Sequence, residues 1–132
     1  MSQHIDVVGA VIVRNGHVFA VQRGPGKALP GMWEFPGGKI EEEESPQNAL
    51  IRELQEELLC DVAVGDFITT TAHEYSFGTV VLSTYFCQLV AGEPRLTEHA
   101  ALRWLRPEEL GTLDWAPADI PAVEIIVEKL AP

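Results

Sequence analysis

Cysteine is nearly absent from this 132-residue chain. Cys60 and Cys87 are too few for a disulfide framework and carry no metal-ligand spacing, so both are expected as free, buried thiols in a reducing cytosol. Basic residues are sparse too: nine Lys and Arg stand against twenty Asp and Glu, a net charge of −11. A surface of that sign repels nucleic-acid phosphates and anionic membranes unless bound cations intervene. No apolar stretch approaches the ~20 residues of a membrane span. Met1 to Asp6 has no basic segment leading into a small-residue cleavage site. Neither a membrane anchor nor a signal peptide is therefore expected. Internal repeats and linker-like tracts are missing as well. What remains is 46% hydrophobic and 22% charged, a globular composition that excludes disorder, collagen and low complexity. Residues 1–132 are expected to form one domain, which at this length buries roughly two-thirds of its unfolded surface without disulfides.

Val7 to Val13 is an almost unbroken apolar, β-branched run, the pattern of a strand covered on both faces. Asn15-Gly16 then signals a two-residue hairpin, with Val18 to Gln22 as the return strand. Gly24 to Gly31 packs three glycines and two prolines around Lys27, a loop suited to form the wall of a pocket. Beyond Trp33-Glu34-Phe35 and the turn Pro36-Gly37-Gly38 comes the acidic run Glu41 to Glu44. Ser45-Pro46 is an N-cap with proline at the first helical position. Leu50, Leu54 and Leu58 recur every four residues, which predicts a helix from Pro46 to Leu58. Phe67 to Thr71 and Val80 to Val90 are predicted strands around a Ser76-Phe77-Gly78 turn, followed by a short strand over Leu102 to Leu105 and a helical turn over Pro107 to Leu110. Val123, Ile126, Val127 and Leu130 place a second helix over Pro121 to Leu130. Strands mixed with two helices predict an α/β (α+β) fold with a helix on each side of a mixed sheet.

Within the first helix, Glu53, Glu56 and Glu57 fall within roughly a 100° arc beside the leucine stripe. Like charges at i+3 and i+4 cost roughly a few tenths of a kcal/mol each, and folding alone gives no reason to gather three. A solvated acidic face is one reading. A hard divalent cation is the other, since Mg²⁺ takes carboxylate oxygens and shares its shell with water and substrate phosphates. The immediate succession of a Gly-Gly turn, an acidic loop, a capped helix and this triad favours the cation.

Gly38, Glu44 and Arg52-Glu53-Leu54-Gln55-Glu56-Glu57 stand at the spacing G-x5-E-x7-R-E-U-x-E-E, where U is apolar. Over the 23 residues Gly38 to Cys60 this resembles the Nudix box, with every charged position matched. Phe35-Pro36-Gly37-Gly38-Lys39-Ile40 is similar to the MutT branch of that family. One position departs: the box glycine, a left-handed helix cap, is Leu59 here. Leucine either accepts that conformation at roughly 1–2 kcal/mol or ends the helix another way. The resemblance implies a Nudix-type α/β/α sandwich, a mixed sheet between two main helices.

The resemblance also implies hydrolysis of a nucleoside diphosphate linked to another group, with Mg²⁺ or, as a substitute, Mn²⁺. Glu53, Glu56 and Glu57 and the carbonyl of Gly38 would be metal ligands, with Glu98 as an additional metal-associated glutamate. Arg52 and Glu44 would brace the loop and helix, Arg52 alternatively touching phosphate as part of the catalytic set with Glu53 and Glu98. Either of those two glutamates is a candidate general base; an ordinary loop residue is the other reading of Glu98. His99 is expected as a surface or structural histidine, and His73-Glu74 carries no pattern.

Arg23, Phe35, Lys39 and Asp119 would bind substrate, although Phe35, like Trp33, is equally suited to the core. When ionised, Asp119 offers only acceptors and would favour a base edge with a donor; an N-cap ahead of Pro121 is its other reading. Ala116 to Pro121 also resembles the CTP and modified-pyrimidine triphosphate pyrophosphohydrolases of this branch. The expected activity is conversion of nucleoside triphosphates, oxidised or methylated ones included, to monophosphate and pyrophosphate. That is nucleotide-pool sanitation in the service of DNA repair. Hydrolysis of dinucleoside polyphosphates or ADP-ribose, or a non-catalytic nucleotide-binding module, are the rivals. The expected partners are a small nucleotide and no nucleic-acid polymer or membrane, the chain being a cytoplasmic monomer or small homo-oligomer. Residues 41 to 57 hold seven glutamates and one arginine, so −6 of the −11 sits where cations would bind.

Overall fold

The apolar run near the N-terminus is divided between two cores. A computed structural model describes residues 3–131; Met1, Ser2 and Pro132, part of the 1–132 expectation and, for the first two, of the signal-peptide reading, lie outside the described residues. Side chains of β1 (His4–Arg14) alternate across the sheet. Val8, Ala10 and Ile12 therefore enter the core under the first helix, and Val11 enters the core under the second. β2 (His17–Gln22) divides in the same way, Phe19 and Val21 against Val18 and Ala20. That is why these strands are apolar at nearly every position.

Asn15 and Gly16 take φ of 51° and 75°, the left-handed pair that a tight hairpin demands, and Arg14 pairs with His17 across them. β3 (Trp33–Glu34) and β7 (Ala101–Leu105) both pair antiparallel with β2. β4 (Gly37–Lys39) pairs antiparallel with β1. On its other edge β1 runs parallel to β6 (Gly78–Ala91), from His4↔Thr79 to Ile12↔Cys87, and β6 carries β5 (Asp61–Tyr75) at the sheet edge. The long β5–β6 hairpin turns at Tyr75↔Gly78.

β5 is much longer than the predicted Phe67–Thr71. Register shifts between Asp61 and Val62, Val64 and Phe67, and Phe67 and Thr69 break its alternation, and an edge position leaves many of its side chains exposed. β3 and β4 span two and three residues, too few to leave a periodic signal.

α1 (Pro46–Leu58) covers one face through Ala49, Leu50, Leu54 and Leu58. Ser45 caps it, its hydroxyl accepting from Asn48 N at 3.0 Å. α2 (Ile120–Leu130) covers the other face through Ala122, Val123 and Ile126, beside Trp33, Phe35 and Trp115. The mixed sheet between two helices is the expected sandwich. Among the described residues no helix is long and apolar enough to cross a membrane.

Leu59 adopts the left-handed conformation itself, at φ 56° and ψ 37°. The N–H groups of Leu59 and Cys60 both close on the Leu54 carbonyl, so the helix ends as a glycine-capped one would, while the leucine side chain remains 56% exposed. Relief of this strain outweighs the extra freedom glycine brings to the unfolded chain. Leu59→Gly is expected to raise stability by about 0.5–1 kcal/mol. A urea titration checks it; a lower midpoint would contradict it.

Candidate active site

Arg52, at the midpoint of α1, is tied on three sides. Its guanidinium grips Glu44 with two N–H groups, Nε to Oε2 at 2.7 Å and Nη2 to Oε1 at 2.9 Å. It also donates to Glu53 Oε1 at 2.8 Å and to the Lys39 carbonyl at 3.0 Å. Such a two-pronged pair is directional as well as strong. The Glu44 carboxyl is held down at about 2 by the Arg52 guanidinium first, and then by its backbone hydrogen bond at Glu41. The acidic loop, the helix and β4 thus form one unit.

The brace seats Glu53 against Gly38, where a Cβ would fall less than 3 Å from the Glu53 carboxyl. Only glycine lets the helix carboxylate approach the β4 backbone so closely. One turn on, Glu57 Oε2 is buried with no hydrogen-bond partner among the described residues. Burial first, then the neighbouring charges of Glu53, Glu34 and Glu98, push the Glu57 carboxyl up to about 8. An orphaned carboxylate among like charges suits a divalent cation, which would supply the missing partner. The described residues contain no preformed cluster of three or more His, Cys, Asp or Glu around one point.

Glu57 lies on the wall of a cavity of about 310 Å³, bounded by β1, the 24–31 loop, the hairpin tip and the start of α2. Arg23, Phe35, Gly38, Lys39, Glu57, Glu98 and Asp119 line it, seven of the ten residues expected from sequence. Arg52, Glu53 and Glu56 do not. Arg52 stands behind the wall with its donors engaged, a bracing position and not one that touches a ligand in the cavity. Glu53 lies just behind Gly38, and Glu56, 61% exposed, shares the Arg52 Nη1 with Glu53, accepting from it at 3.4 Å.

At the opposite end Asp119 is only 5% exposed, and its Oδ2 accepts from the Phe35 N–H at 3.0 Å. Among the described residues it makes no capping hydrogen bond to α2. Asp119 holds the N-cap position of α2, but its side chain does not cap the helix and is turned to the Phe35 N–H on the cavity wall instead. Burial drives this carboxyl up to about 8, helped by the nearby charge of Glu34 and opposed by the Phe35 N–H and Arg23. Burial thus favours the protonated form of this carboxyl, which offers a donor as well as lone pairs, where the ionised form offers only acceptors. Phe35 is both things the sequence allowed. It is buried, packed on Trp115 with ring centres 4.7 Å apart, and on the cavity wall.

Between the two ends runs a chain that sequence reasoning missed. Arg23 Nη1 donates to Glu34 Oε1 at 2.8 Å, and His99 Nε2 donates to Glu34 Oε2 at 3.2 Å. His99 is a cavity residue whose side chain is 8% exposed, not a surface histidine. A charged residue between the apolar Trp33 and Phe35 was the available signal for Glu34; His99 had none beyond its place beside Glu98. Lys27 reaches across the mouth to Glu98 at 3.6 Å.

The cavity thus brings a carboxylate-bearing helix together with a wall that includes buried Phe35. The family model described as NUDIX domain matches residues 3–124. The CTP pyrophosphohydrolase of Escherichia coli strain K12 is 40% identical over 120 residues, 91% of this chain and 89% of that protein. The 8-oxo-dGTP diphosphatase of Proteus vulgaris is 40% identical over 77 residues, 58% of this chain and 69% of that protein. The solution structure of the DNA mismatch repair protein MutT, a Nudix hydrolase from methicillin-resistant Staphylococcus aureus, is 51% identical, covers 98% of this chain and 99% of its own, and superposes with a TM-score of 0.81. The chain belongs to the Nudix hydrolase family, whose members work with a divalent metal ion.

Two expectations follow from the carboxyls at the two ends. In EDTA at pH 8, Glu57→Gln is expected to melt above the wild type, because the orphaned acid is replaced by a neutral amide. Added divalent cation is expected to raise the wild type and not the variant, as a thermal scan checks. Asp119 binds its proton more tightly folded than unfolded. Its contribution to stability is therefore full below about pH 4 and lost as pH rises toward 8. The melting temperature of Asp119→Asn relative to wild type is expected to climb between pH 4 and 8; a flat difference would contradict the burial argument.

Proposed function

We propose that the chain, acting as one Nudix domain, hydrolyses nucleoside triphosphates to the monophosphate and pyrophosphate with Mg²⁺, Mn²⁺ substituting. The observation that carries this reading is a single cavity with the partnerless Glu57 carboxyl at one end and the Phe35–Asp119 pair at the other. Phosphates belong at the first end and the base at the second. Gly38, through its carbonyl, and Glu53, Glu56, Glu57 and Glu98 would hold the metal, which when bound polarises phosphoryl oxygens and acidifies water. Arg52 fixes Glu53 by a short hydrogen bond. Either Glu53 or Glu98 would take the proton from the attacking water. Lys27, Lys39 and Arg23 supply the positive charge along the wall for phosphate oxygens.

Protonated Asp119 bears on the base. As donor and acceptor together it suits the N3 and N4 edge of cytosine and the carbonyl edge of an oxidised guanine alike. The two relatives named for CTP and for 8-oxo-dGTP support both. Sanitation of the nucleotide pool, guarding DNA against damaged precursors, is the biological role this supports. A cavity at the small end of ligand sites suits one nucleoside, which favours triphosphates over dinucleoside polyphosphates and ADP-ribose. The two cysteines are free and buried, in keeping with a reducing cytosol.

A hydrolysis screen over CTP, 5-methyl-dCTP, dGTP and 8-oxo-dGTP with Mg²⁺ in ¹⁸O-water tests the proposal. Turnover to monophosphate and pyrophosphate is expected, label in the pyrophosphate marking attack at the β-phosphorus. Glu53→Gln should lower kcat by roughly 10²–10⁴-fold while the fold persists by circular dichroism. Near-normal turnover in that variant would remove the metal assignment.

A further inference from the structure

We infer that Tyr75 is a positioning residue for base selection: its hydroxyl pins the backbone of Ala118 and so fixes where the Asp119 carboxyl stands. The inference rests on the function proposed above and adds the device that holds its base-recognising group.

The geometry begins with the short turn Pro117–Asp119. N–H groups in the first turn of a helix lack partners within it. Pro117 has no N–H to satisfy, and the Asp119 N–H bonds to the Ala116 carbonyl at 2.9 Å. The Ala118 N–H, on a residue 3% exposed, donates to the Tyr75 hydroxyl at 2.9 Å. This bond spans 43 residues and joins the tip of the β5–β6 hairpin to the entry of α2. The Asp119 carboxyl is therefore held from two sides. Its Oδ2 accepts from the Phe35 N–H, and the backbone one residue before it is held by Tyr75.

Tyr75 is itself set firmly. Its ring stacks on Phe77, 5.0 Å between centres and 5° between planes, and leans on His73 at 4.5 Å. The hairpin tip is anchored beneath by the Thr79 N–H, which donates to the Gln3 carbonyl at 2.7 Å. Burial raises the Tyr75 phenol above its ordinary value, so the hydroxyl keeps its proton while it accepts from Ala118. A phenylalanine would supply the same stacked ring without the acceptor. The buried Ala118 N–H would then be left unpaired, and the Pro117–Asp119 turn would be free to shift.

Tyr75→Phe separates a positioning role from a merely structural one. Two readouts are needed, one of them independent of turnover. By NMR hydrogen exchange, the Ala118 amide is expected to lose at least ~10-fold of its protection while amides of α1 keep theirs. In steady-state kinetics the loss is expected on KM, not kcat, and unequally across nucleotides, so that the ratio of kcat/KM between preferred and disfavoured bases shrinks several-fold. Combined with Asp119→Asn, the two effects on that ratio are expected to be non-additive, since one residue acts through the other. Unchanged protection at Ala118 overturns the inference. So does a base ranking identical to wild type, or a uniform loss across all bases, when the wild type is active. A wild type that hydrolyses none of the nucleotides overturns the proposed function first, and this inference with it.

Discussion

The grip of Arg52 on Glu44, Glu53 and the Lys39 carbonyl is the interaction on which the site depends. An acidic loop of four consecutive glutamates and a helix bearing three more would repel each other if left alone. One guanidinium, with its planar fork of donors, converts that repulsion into a fixed joint. Because the joint also reaches the β4 backbone, Glu53 comes to rest against a glycine that has no side chain to prevent it. The lysine ammonium, a point charge without the fork, could not make the same set of directed bonds.

The two ends of the cavity share a physical theme. At each, burial of a carboxyl pushes it up to about 8. The outcomes differ because the surroundings differ. Glu57 sits among other glutamates with an oxygen that has no partner, so it invites positive charge. Asp119 is almost fully buried, with the Phe35 N–H as partner and the opposed charges of Glu34 and Arg23 nearby, so its burial favours a neutral hydrogen-bonding group. The folded protein tolerates both at a cost to its stability, as sites built for a ligand commonly do.

Much of this was legible in the sequence wherever the signal was local. The cap at Ser45, the leucine stripe of α1 and the Asn15-Gly16 turn each need only neighbouring residues, and each stands as expected. The carboxylate triad was legible because three like charges on one helical arc have no folding rationale. What escaped depends on contacts between distant segments. Glu34 and His99 meet across 65 residues, and Tyr75 meets Ala118 across 43; no spacing rule anticipates either. Asp119 allowed two readings, substrate binding or a helix cap, and only its buried place on the cavity wall, without a capping hydrogen bond, separates them.

The parallel pairing of β1 with β6 sets the order in which this molecule can come into being. His4 lies against Thr79, about seventy-five residues further along the chain. Made before β6, β1 must therefore wait, largely unpaired on that edge, until the hairpin beyond α1 has been made. Contacts so distant along the chain slow folding, because the loop must close before the pairing rewards it. The helix with its Arg52 brace needs only local contacts and can assemble early. The cavity cannot, since one wall comes from β1 and another from the entry to α2. The cavity is thus complete only when segments from both halves of the chain have come together, and until β6 pairs with it the edge of β1 is open to mispairing.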